Sequence, residues 1–149
     1  MNHQQRTGAF LLAALASGAA LADHHAEGHT VSGTASFEGT GTLYMELVDE
    51  AQFAAGENSP LGIAVVIGEA EAAAGGVAFR FEGVPAGSYV LQGFQDMDGD
   101  GELGAGAFGP TEPWAIMNYK PSVFAGPDFA KASFEVADDV SDLSVTMAK

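Results

Sequence analysis

From Val31 onward, short runs of alternating apolar and polar residues are separated by turns rich in Gly, Pro and Asp, and no helical periodicity is sustained. These observations predict an all-β domain. The runs number seven. Over roughly 120 residues that suits a seven-stranded immunoglobulin-like, or transthyretin-like, β-sandwich better than an up-and-down barrel, which usually takes more strands.

The expected strands are Val31–Glu38, Thr42–Asp49, Gly62–Ile67, Val77–Glu82, Ser88–Gln95, Lys131–Val136 and Leu143–Ala148. In the fourth, Val77, Phe79 and Phe81 share one face and Ala78, Arg80 and Glu82 the other. The sixth sets Ala132, Phe134 and Val136 against Lys131, Ser133 and Glu135, and the last sets Leu143, Val145 and Met147 against Ser144 and Thr146. Such alternation buries one face of a sheet and leaves the other wet. Glu69–Ala74 has helix-forming composition, but Gly75 and Gly76 end it within two turns, so it reads as a loop with one helical turn. Between Asp96 and Ala130 the strand pattern lapses. That stretch reads as one long ordered loop, because Phe108, Trp114, Tyr119, Phe124 and Phe129 need somewhere to pack, and Pro110, Pro113, Pro121 and Pro127 stiffen the chain.

The N-terminal segment 1–22 carries Arg6, an apolar run from Ala9 to Ala22, and Ala20 and Ala22 flanking Leu21. It reads as a cleavable signal peptide, which makes the mature protein secreted or periplasmic. The run is shorter than a membrane span, and no other stretch is longer, so no membrane span is expected. With no Cys in the chain, disulfides, thiol chemistry and a thioether lipid anchor are excluded. Residues 23–30 then form a disordered, His-containing tail, and 31–149 the sandwich domain. A mature terminus of Asp23-His24-His25 also has the nitrogen set to wrap Cu²⁺ or Ni²⁺. The competing reading of this tail is a polar spacer.

Charge narrows the partners. There are 20 Asp and Glu against 5 Lys and Arg, a formal net charge of −15. Nucleic acid is therefore a poor partner, whereas cations and basic surfaces are good ones. The densest acidic stretch is Gln95-Asp96-Met97-Asp98-Gly99-Asp100-Gly101-Glu102-Leu103. Carboxylates at alternate positions followed by a turn-forming Gly match positions 1, 3, 5 and 6 of a calcium loop, and Glu102 at position 7 would offer its main-chain carbonyl. Leu103 is the apolar residue expected next. Ala107 stands where an EF-hand has its bidentate Glu, so the shell needs another acid, and Glu112 is the candidate. The alternative is a solvated acidic turn. Against it, three Asp in five residues repel one another, and no Lys or Arg lies between Arg80 and Lys120.

The phrase Val84-Pro85-Ala86-Gly87-Ser88-Tyr89-Val90-Leu91 is similar to a strand opening common in transthyretin-like sandwich domains. Together with the acidic stretch, Phe108-Gly109-Pro110-Thr111-Glu112, Asn118 and the run from Gly126 to Phe134, it resembles the secreted bacterial family known as domain of unknown function 2141. The likeness runs from about Gly41 to Ala148. It implies an exported sandwich domain and brings no activity with it. Gln95 departs from the His that the family usually has there, and Ile116-Met117 replaces its more usual Phe-Ser.

From Val31 to Lys149 there is neither His nor Cys, which removes Ser-His-Asp and Cys-His catalysis. The expectation is a non-catalytic module that binds Ca²⁺ through Asp96, Asp98, Asp100, Glu102 and Glu112. The ion would order the segment from Phe108 to Asn118 for contact with a protein, glycan or envelope component, with Trp114, Asn118 and Tyr119 as contact residues. The alternative function is Cu²⁺ or Ni²⁺ handling by Asp23, His24 and His25.

Overall fold

The computed structural model describes residues 28–149. The expected signal peptide at 1–22 and the proposed tail ligands Asp23, His24 and His25 lie outside the described residues. In chain order the elements are β1 (His29–Ser36), β2 (Gly41–Val48), α1 (Glu50–Ala55), β3 (Gly62–Ile67), α2 (Glu69–Ala74), β4 (Gly76–Val84), β5 (Gly87–Asp96), β6 (Ala105–Gly106), β7 (Gly109–Pro110), β8 (Trp114–Ile116), α3 (Phe129–Ala132), β9 (Phe134–Val136) and β10 (Val140–Thr146).

The strands form two main sheets. The first has the order β10-β1-β4, with β1 parallel to β10 and antiparallel to β4. The second runs β3-β2-β5-β8, all antiparallel, and β9 pairs with the opening residues of β5. Alternation decides which side chains meet between them. Val31 and Ala35 of β1, Phe79 and Phe81 of β4, and Val145 of β10 join Leu43, Met45 and Leu47 of β2 and Leu91 of β5 in one buried cluster. Burying Leu43, Leu47 and Leu91 completely stabilises the fold by roughly 2 kcal/mol per side chain. After β10 the chain crosses to the other sheet: Met147 N–H donates to the Ser36 carbonyl, and Ala148 exchanges hydrogen bonds with Trp114.

The all-β class therefore holds, and the strand inventory changes. All seven expected strands have counterparts, Gly62–Ile67 with the expected ends and the others with shifted ones, but β6, β7 and β8 arise inside the stretch read as one loop. β1 begins at His29, so His29 and Thr30 belong to the sheet rather than the tail; the Thr30 N–H donates to Asp139 Oδ1 at 2.8 Å. The sixth strand is shorter than expected because Asp128 caps α3, its side chain accepting from the Lys131 N–H. α1 was not expected. It starts in a capping box, where Asp49 Oδ1 accepts from Gln52 N–H and Gln52 Oε1 from Asp49 N–H, and ends at Gly56 in the left-handed region. Of the aromatic residues expected to pack, Trp114, Tyr119 and Phe129 are half-buried, whereas Phe108 and Phe124 are fully exposed. Among the described residues no helix is long and apolar enough to cross a membrane.

Tyr89 anchors the start of β5. Its ring is buried, and its hydroxyl donates to the Pro85 carbonyl at 2.9 Å. Burial, reinforced by the negative charge of Asp49, pushes the phenol above its ordinary 10.0.

Candidate metal centre

β5 ends at Asp96, where its pairing with Thr42 of β2 stops and the chain turns away. The turn is built from carboxylates bonding to amides a few residues ahead. Asp96 accepts from Gly99 N–H at Oδ1 (2.7 Å) and from Gly101 N–H at Oδ2 (2.9 Å). Asp98 Oδ1 accepts from Asp100 N–H at 3.1 Å, and Asp100 Oδ1 from Glu102 N–H at 2.8 Å. Such local bonds are what Asp does in turns. Gly99 and Gly101 take φ of 80° and 77°, a region that a side chain disfavours. The result curls the acids toward a common centre.

Register brings in the fourth acid. β8 is antiparallel to β5, with Gln92 opposite Ile116 and Phe94 opposite Trp114. The Gln95 N–H donates to the Pro113 carbonyl at 2.8 Å, continuing the alignment beyond the strand. The same register places Glu112 beside Asp96. Glu112 Oε1 accepts from the N–H groups of Met97 (2.7 Å) and Asp98 (3.4 Å). Asp96, Asp98, Asp100 and Glu112 thus each bring a carboxylate oxygen within 4.8 Å of the others. Glu102 adds no carboxylate to this group; the role expected of it was through its main-chain carbonyl.

Glu112 is 6% exposed, and its Oε2 is buried with no hydrogen-bond partner. A buried carboxylate oxygen without a partner carries an uncompensated desolvation cost. Neither ion pair found among the described residues reaches the cluster. An oxygen-rich group of this kind can hold a hard cation.

The cluster's electrostatics are divided. Burial alone would raise the Asp96 carboxyl, but the amides of Gly101 and Gly99, a hydrogen bond from Asp98 and the Asp100 amide outweigh it and hold Asp96 below its ordinary 3.8. For Asp98 the Asp100 amide acts to lower the value. Burial, the charges of Asp100 and Glu112 and the hydrogen bond with Asp96 prevail, and Asp98 lies above 3.8. Two neighbouring acids are thus driven in opposite directions, as carboxylates that interact at close range are.

Gln95 points the other way, into the protein. It is fully buried, and its Nε2 lies within 2.9 to 3.3 Å of the carbonyls of Glu38, Gly39 and Thr40, tying down the turn between β1 and β2. It is not part of the acidic group.

The acidic loop also walls one end of a cleft of about 880 Å³ on the outer face of the second sheet. Tyr44, Phe94 and Trp114 are register partners across β2, β5 and β8. The Tyr44 and Phe94 rings stack with centroids 5.3 Å apart. Gly101, Glu102 and Leu103 form the wall. Of the expected contact residues, only Trp114 lines this cleft. Tyr119 stands behind it, its ring 6.4 Å from that of Trp114 and its hydroxyl donating to the Ala125 carbonyl. Asn118, in the left-handed region with φ of 63°, directs its Nδ2 to the Ala132 carbonyl at 3.4 Å. Tyr44, Glu46, Gln92 and Phe94 are among the lining residues that the sequence reading missed. The available signal was the size of the outward positions: Tyr44 alternates with core Leu43 and Met45, and Phe94 follows the same rule on β5.

The family described as "Uncharacterized protein conserved in bacteria (DUF2141)" matches residues 30–144. No curated protein and no solved structure matches the chain.

Proposed function

The chain belongs to the bacterial family DUF2141, and from that premise we propose an exported, non-catalytic β-sandwich domain that binds Ca²⁺ through Asp96, Asp98, Asp100 and Glu112. The observation that carries this reading is the convergence of one carboxylate oxygen from each of Asp96, Asp98, Asp100 and Glu112 within 4.8 Å of one another, in a group whose Glu112 is buried and has one oxygen without a partner. Calcium is favoured over magnesium because a flexible loop of side-chain oxygens suits a large ion that sheds its water readily. Affinity is expected at about 10⁻⁴ to 10⁻³ M, as in extracellular modules. The ion would offset the mutual repulsion of the four carboxylates, fix the Asp96 to Glu102 turn, and hold the cleft wall in place.

An immunoglobulin-like or transthyretin-like sandwich is supported by the core shared between the two sheets and by the Tyr89 hydroxyl bonded back to Pro85, a device typical of Greek-key sandwich corners. Export rests on segment 1–22 and is tested by N-terminal sequencing of the protein recovered from the periplasm: a mature chain starting at Asp23 supports it, and an intact Met1 overturns it. Absence of catalysis rests on the lack of His and Cys beyond His29.

The metal reading is tested by melting the protein in EDTA and in about 10 mM Ca²⁺. A rise of roughly 5 °C or more is expected, with a change in the emission of Trp114, the chain's one tryptophan. Glu112→Gln keeps an oxygen to accept from Met97 and is expected to abolish the rise. An identical melt with and without Ca²⁺ would sink the proposal.

A further inference from the structure

We propose that the cleft on the outer face of the second sheet binds a small organic cation, an amine or guanidinium carried on an apolar body. Its volume of about 880 Å³ is that of small-molecule sites, which are usually apolar with a few placed polar groups. The floor has this composition. Phe94, flanked by Tyr44 and Trp114, offers aromatic surface, with Ile63 and Ile116 beside it, and Glu46 is the half-buried acid among them.

Charge complementarity chooses the occupant. Glu46 Oε1 accepts from Gln92 Nε2 at 2.8 Å and Oε2 from Ser59 N–H at 2.8 Å. Both donors are neutral, so they orient the carboxylate and leave its charge in place. Glu102 adds a second carboxylate from the wall, and no Lys or Arg lines the cleft. An anion would be repelled by these acids and by a chain of net charge −15. A cation meets a fixed carboxylate on one side and aromatic faces on the other, the two environments that hold ammonium and guanidinium groups. Asn58 and the acidic loop bound the open cleft, and its volume matches that of a small-molecule ligand site.

Glu46 and the aromatic floor lie on β2, β5 and β8 rather than on the acidic loop, and the test is run both in EDTA and in Ca²⁺ so that failure of the metal reading is distinguishable from failure of this one. Trp114 fluorescence is titrated at neutral pH with 2-phenylethylamine, the neutral 2-phenylethanol and the anionic phenylacetate. The amine is expected to produce a saturable change at least about tenfold tighter than the alcohol, and the acid none. Glu46→Gln, which keeps an oxygen for Ser59, is expected to bring the amine down to the affinity of the alcohol. Equal binding of amine and alcohol by the unmodified protein overturns the proposal without recourse to any variant. So does an amine preference that survives Glu46→Gln, or a response confined to a neutral oligosaccharide or a Lys-rich peptide.

Discussion

The outer face of the second sheet is one surface with two ends, and they are finished in opposite ways. At one end Val48 and Val90 are fully buried, roofed by Phe53 of α1 and Phe129 of α3, whose rings lie 5.7 Å apart. At the other, Tyr44, Phe94 and Trp114 remain half-exposed beside the acidic loop. Both ends begin as apolar cross-strand rows. Only the first meets helices short enough and apolar enough to cover it; the second meets a loop whose acids turn toward one another. A sheet face thus becomes core where a connection brings hydrocarbon to it, and remains a surface for ligands where the connection brings charge.

That contrast can be broken. Val90→Ala removes buried methyl groups at the roofed end and is expected to cost about 2 kcal/mol, read as a fall in the urea midpoint. Phe94→Ala at the open end should cost about 1 kcal/mol, near the worth of an aromatic pair. Equal losses would mean that the open end is as much a part of the core as the roofed one. Asp49→Ala removes the cap of α1 and is expected to cost about 1 kcal/mol, loosening the roof while leaving the Ca²⁺-dependent rise in melting temperature intact. Loss of that rise would show the two ends to be coupled.

The smallest effects concern pH in the metal-free protein. Asp96 lies below its ordinary 3.8 when folded, so it contributes stability that is present above that value and lost as pH falls through the lower, folded one. Asp98 lies above 3.8, so its contribution is present below 3.8 and lost as pH rises through the raised value. Ca²⁺ needs both ionised. The stabilisation by Ca²⁺ should therefore decline as pH drops below the raised value of Asp98, checked by melts with and without the ion across the acid range. A calcium effect that is flat through that range would place the ion away from Asp98.

Legibility followed the range of the forces involved. Alternation exposed β4 and β10, because period two is written in consecutive residues. α1 was legible in principle: Asp49 and Gln52 spell a capping box and Gly56 a stop, but six residues are too few for periodicity to stand out. β8 was hidden because three residues, Trp114 to Ile116, have little strand signal of their own and are held by pairing with β5. The acids of the turn stood out by their spacing. Glu112 was nominated only as the nearest later acid, and what places it beside Asp96 is a register that no local pattern records.

The sequence by itself determined the all-β class, the positions of most strands along the chain and the acidic turn, since each depends on residues close together in the chain. Tertiary structure decided which acids converge, that Gln95 Oε1 and Glu112 Oε2 are buried without a partner, and which aromatic residues line the cleft. Those outcomes depend on Thr42 meeting Asp96 and Phe94 meeting Trp114, and cross-strand register is settled by burial of the opposite face of the sheet.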